Sequence, residues 1–130
     1  MIPEIKLYSY FGSQVFVSVI SLEQITKTST WNEIEAFPPL SPREAIKKAK
    51  TKIIDMFQSV KDQVSFESCN LKNYEENYWY YEIVFMLPIE NGSYEEEQSS
   101  FNIYILLDGS VVELKEESFD DYINGMDGMG

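Results

Sequence analysis

Twenty-two acids against ten bases give this 130-residue chain a net charge of −12, and it contains no histidine. The missing histidine removes the commonest general base at neutral pH, the usual zinc ligand and every Ser-His or Cys-His arrangement, while the charge sets the surface as a whole against nucleic acid. A hydrophobic content of 44% with 15% aromatics describes a globular chain of about one domain, and no apolar run reaches the roughly 18 residues that a membrane span requires.

At the N-terminus, Met1-Ile2-Pro3-Glu4 lacks the basic-then-apolar order of a secretory signal. The expectation is a soluble chain of unassigned compartment, envelope or secreted if a signal was removed. Glu4 to Phe11 and Gln14 to Leu22 are rich in Tyr, Phe, Val and Ile and are joined by Gly12-Ser13. This dipeptide suits a type II′ turn, so the pair reads as a β-hairpin with Ile5, Leu7, Ser9 and Phe11 on one face and Lys6, Tyr8 and Tyr10 on the other. From Gln24 to Pro39 periodicity fails and the segment reads as a connection. Trp31, Ile34 and Phe37 stand out within it and are expected to fold back and plug one end of the core.

The run Pro38-Pro39-Leu40-Ser41-Pro42-Arg43-Glu44-Ala45 launches the one long helical signal. Ser41 is placed as N-cap, Pro42 sits where its missing N–H costs nothing, and Glu44 completes a capping box. Ala45, Ile46, Ala49, Ile53, Met56, Phe57 and Val60 then recur at spacings of three and four, predicting a helix to about Lys61 with one apolar stripe. Residues 41–61 hold six bases and two acids, leaving four bases and twenty acids elsewhere. The basic ridge is expected to be a solvated face that pairs with acidic sheet edges.

Beyond the helix, Val64 to Leu71, Tyr78 to Ile89, Ser99 to Leu107 and Val111 to Lys115 read as four strands of a meander, with the nearly unbroken apolar run at Tyr78 to Leu87 as its central strand. Asn91-Gly92 lies within an acidic loop ending at Glu97, and Asp108-Gly109 is a tight turn. Residues 116–130 are acidic, contain glycine and carry no periodicity, which predicts a flexible tail after a single domain at 1–115, pinned by Phe119 and Tyr122.

No phosphate loop, dinucleotide fingerprint or Gly-x-Ser-x-Gly elbow is present. Glu67 and Glu82 read as ordinary strand carboxylates; were the chain an enzyme, Glu82 is the residue to nominate, either exposed on a flat sheet face, which would remove it, or set in a pocket lined by Tyr80 and Trp79. The segment Asp120 to Asp127 has calcium-loop flavour without the ligand alternation of an EF-hand. Cys69 is alone and reads as an inert strand thiol. No catalytic residue, cofactor or metal is expected. The candidate partner-binding residues are Glu95, Glu96 and Glu97 at a loop tip, where an acidic triplet can dock a basic protein, together with Trp31 and Trp79.

Ser41-Pro42-Arg43-Glu44-Ala45-Ile46 with Ala49, the strand Trp79-Tyr80-Tyr81-Glu82-Ile83 and the hairpin Leu107-Asp108-Gly109-Ser110-Val111-Val112 resemble a PepSY-type domain. A group of small bacterial proteins is similar as well, carrying Lys-Thr-x-x-Trp, Pro-Pro-Leu-Ser-Pro-Arg-Glu-Ala, Trp-Tyr-Tyr and Asp-Gly-x-Val-Val. The PepSY resemblance implies an exported module that restrains or chaperones proteases, and carries over no catalytic residue.

The fold expectation is α+β: one main helix packed on an antiparallel sheet of about five to six strands, in hairpin-helix-meander order, PepSY- or cystatin-like. Ile46, Ala49, Ile53 and Phe57 are expected to meet Ile83, Phe85 or their neighbours Val84 and Met86. The functional expectation is a non-catalytic protein-binding or inhibitory module.

Overall fold

The computed structural model describes residues 4–11, 14–28, 30–32, 34–75, 77–88 and 98–117. Strands β1 (Ile5–Phe11) and β2 (Gln14–Ile20) form an antiparallel pair from Ile5↔Ile20 to Phe11↔Gln14, so the hairpin closes over two residues, as the Gly-Ser signal required. Side chains alternate across a strand. Ser9 and Phe11 on β1, with Phe16, Ser18 and Ile20 on β2, are accordingly the buried set of the inner face.

The segment read as a plain connection contains a short helix, α1 (Leu22–Thr26). Ser21 accepts from the Gln24 N–H while the Gln24 side chain accepts from the Ser21 N–H, a complete capping box that brings Ile25 into the core at 0% exposure. Five residues are too few to show a hydrophobic period, and so the cap was its only sequence signal.

The main helix, α2 (Pro42–Met56), begins at Ser41, whose Oγ accepts from the Glu44 N–H at 3.2 Å. It stops five residues short of Lys61. Phe57 leaves the helical path at φ −126° and ψ 56°, and a 3₁₀ stretch, Gln58–Gln63, follows. The Phe57 ring meets Phe11, Phe16 and Phe101 at centroid distances of 4.7, 5.7 and 5.1 Å. Tilted and edge-on aromatic contacts of this kind contribute about 0.5–1.5 kcal/mol each beyond area burial.

Strands β3 (Ser65–Glu75), β4 (Tyr78–Pro88) and β5 (Gln98–Leu106) form one antiparallel sheet in that order. The fourth strand, β6 (Leu114–Glu117), pairs with β2 instead, so the fold is α+β with, among the described residues, two three-stranded sheets rather than one sheet of five or six. The cause lies on the outer edge of β5. Val112 N–H bonds the Tyr104 carbonyl and Leu106 N–H bonds the Ser110 carbonyl, each at 2.9 Å, and the backbone of Asn102 is bonded by the Ser9 hydroxyl. With that edge occupied, the chain passes on to the free edge of β2, from Ser18↔Leu114 to Val15↔Glu117. Regular structure therefore runs two residues beyond the expected boundary at 115. Phe119 and Tyr122 lie outside the described residues.

The central sheet is covered on both faces. On one, Ala45, Ala49, Ile53 and Phe57 share a cluster with Tyr81, Ile83, Phe85, Leu87, Phe101, Ile103 and Ile105. Val84 and Met86 are half-buried on the other face, so the helix meets only the odd-numbered residues of β4. On that second face, Tyr80, Tyr104 and Leu106 pack with Ile20 and Ile25, which seats α1 there, while Phe11 and Phe16 of the hairpin join the α2 cluster. Among the described residues no helix is long and apolar enough to cross a membrane.

Candidate functional site: an apolar loop held on a tryptophan pair

Between α1 and α2 the chain is tied down at two points and projects between them. At the first, Trp31 N–H donates to the Asn77 carbonyl at 2.8 Å, and Trp79 Nε1–H donates to the Trp31 carbonyl at 3.0 Å. The two indoles meet edge-on, with centroids 5.2 Å apart and planes at 70°. At the second, the Tyr81 hydroxyl donates to the Leu40 carbonyl at 2.6 Å. Burial, with a smaller contribution from Cys69, pushes that hydroxyl up to about 12, so it stays a donor throughout the physiological range.

Inside the loop, Asn32 Oδ1 accepts from Ile34 N–H at 3.1 Å and the Asn32 carbonyl accepts from Glu35 N–H at 2.8 Å, an Asx-type turn. Ile34 and Phe37 stand on it at 86% and 83% exposure, with Glu35 exposed between them. A single exposed apolar side chain needs no explanation. Two large ones on a loop fixed at both ends form a presented surface, because the conformational cost of ordering the loop is already met before any partner arrives.

The sequence candidates separate on this geometry. Trp31 and Trp79 do come together, as the half-buried base of the loop rather than its contact surface. Trp31 packs against the core as expected, whereas Ile34 and Phe37 do not plug it. Pro38 and Pro39 follow Phe37 directly and tend to hold the chain extended there. Glu95, Glu96 and Glu97 lie outside the described residues, as does the segment 120–127.

Glu82 is half-buried on the face of the central sheet opposite α2, where its carboxylate accepts from Asn70 Nδ2–H at 3.4 Å. Trp79 belongs to the other face, so of the two surroundings open to Glu82 the pocket lined by Tyr80 and Trp79 does not form. Burial pushes Tyr104 up to about 12, the Asn102 amide opposing and the Glu82 carboxylate adding to the effect. Burial also raises the Cys69 thiol, which disfavours the thiolate.

The basic ridge differs from expectation too. Among the described residues the one ion pair is Lys27–Glu23 at 3.2 Å, between α1 and its C-cap, and no base of α2 takes part in one. Lys47, Lys48 and Lys52 share a shallow groove with Glu44 and Asp55. These carboxylates interrupt the ridge and spoil it as a track for a polyanion.

Comparison with protein-family models, curated proteins and solved structures finds no match to this chain.

Proposed function

We propose that this chain is a non-catalytic protein-binding module whose contact surface is the loop between Trp31 and Leu40. The observation that carries this reading is the exposure of Ile34 and Phe37 on a loop anchored by Trp31, Trp79 and Tyr81. The partner is a basic protein offering an apolar pocket: the pocket takes the two side chains, its basic rim meets Glu35, and the net charge of −12 steers it in.

The test is capture from a lysate of the source organism at low salt, with the parent, Ile34→Ser/Phe37→Ser, and Glu95→Gln/Glu96→Gln/Glu97→Gln as baits. A basic protein should be retained by the parent, weaken as salt rises, and be lost from the loop variant by about tenfold or more, in line with removal of two interface anchors. The loop variant should melt where the parent does, since neither side chain touches the core. Equal retention by the parent and the loop variant would refute the loop, and loss confined to the Gln variant would move the site to residues 90–97. If the partner is a protease, as the PepSY resemblance implies, the purified chain should slow its cleavage of a peptide substrate.

A further inference from the structure

Every sheet leaves two edges, and β3 is the end strand of its sheet, with no strand among the described residues laddered to its outer side. Register shifts between Phe66 and Ser68 and between Asn73 and Glu75 mark its two ends. Bulges are a common way to blunt an exposed edge, and here they leave a regular run from Ser68 to Asn73 between them. That run carries no acid in a chain of twenty-two, and Lys72 is its only charge.

Which groups the edge presents follows from the ladders. On β5 the even-numbered residues turn their backbone outward, as the bonds at Asn102, Tyr104 and Leu106 show. Alternation through Ile83↔Ile103 and then Glu82↔Asn70 makes the odd-numbered residues within Ser68–Lys72, Cys69 and Leu71, ones whose N–H and C=O point off the free edge.

We propose that this edge pairs with the same edge of a second copy, β3 against β3, antiparallel about a two-fold axis through Asn70. In that register Cys69 lies opposite the partner's Leu71 and Leu71 opposite the partner's Cys69, so all four outward donors and all four outward acceptors of those residues are matched. No other pairing is needed to close the symmetry, and the product is a six-stranded sheet. Lys72 comes opposite the partner's Ser68. The bulge sets Glu67 and Ser68 together against Val84, which carries Glu67 on the Ser68 side and within reach of the partner's Lys72. The two-fold therefore generates two opposite-charge pairs. Phe66, 49% exposed at the end of the run, gains cover from the added strand. The pairing uses no residue of the Trp31–Leu40 loop, so it stands or falls independently of the binding role.

Sedimentation velocity on the full chain tests it, from about 10 µM to about 500 µM, a range over which mass action resolves a weak dimer. The expected result is a shift from the 15.1 kDa chain to twice that mass. Glu67→Lys or Lys72→Glu alone turns both attractive pairs repulsive and should weaken association about fivefold or more, and the double swap should restore it. Both side chains are exposed, so the variants should fold as the parent does. A chain that stays monomeric throughout overturns the proposal, and so does a dimer whose strength is the same in the parent, both single variants and the double swap.

Discussion

The buried Tyr104 hydroxyl accepts from Asn102 Nδ2–H at 3.2 Å, and the negative charge of Glu82 adds to the effect of burial in opposing its ionisation. The hydroxyls of Tyr104 and Tyr81 hold their protons up to about 12, against an ordinary value of 10. An unfolded chain releases the same protons near 10, so between the two values it binds fewer protons than the native state and stability falls as pH rises. The contribution is fully present below pH 10 and is lost through about pH 12. Melting temperature against pH should therefore bend downward from about 10, and Tyr104→Phe, which has no proton to lose, should flatten the slope. An unchanged alkaline slope in that variant would show that Tyr104 is not the group responsible.

At the scale of elements, two serines of the N-terminal hairpin make a controlled comparison. Ser9 and Ser18 are both buried, at 3% and 0% exposure. The Ser9 hydroxyl accepts from the Asn102 N–H at 3.1 Å and so caps the outer edge of β5, whereas Ser18 Oγ meets no hydrogen-bond partner. Ser9→Ala leaves the half-buried Asn102 N–H without its acceptor and should cost about 1–2 kcal/mol. Ser18→Ala removes an unsatisfied polar atom and should be neutral or slightly stabilising. Urea unfolding of the two variants beside the parent reads this directly, and equal losses would mean that the cap at Asn102 contributes nothing. The same cap accounts for the topology, because a β5 edge already bonded at Asn102, Tyr104 and Leu106 has no room for β6.

For the whole molecule the dominant fact is self-repulsion: a net charge of −12 with a single ion pair among the described residues. Screening relieves such repulsion, since the Debye length falls from about 30 Å at 0.01 M to about 8 Å at 0.15 M. The melting temperature should therefore rise with salt over that range, on the order of a few degrees. A fall on adding salt would point to attractive pairs outweighing the repulsion. Salt should act oppositely on partner capture through the acidic surface, which separates a loss of binding from a loss of fold.

Local pattern determined the hairpin, the helix start at Ser41, the apolar stripe of Ala45, Ala49 and Ile53 and the central strand, because each follows from spacing or from the chemistry of a turn or cap. The Trp31–Trp79 contact was foreshadowed only as two conspicuous residues. Three features were decided by contacts distant in sequence. Phe57 ends the helix where its ring joins Phe11, Phe16 and Phe101, residues that a helical period cannot see. β6 crosses to β2 because Ser9, ninety-three positions from Asn102, already caps the edge of β5. Ile34 and Phe37 have the composition of core residues, and only the anchors at Trp31 and Leu40 turn them outward, since exposure depends on where both ends of a loop are fixed, which a single chain position does not encode.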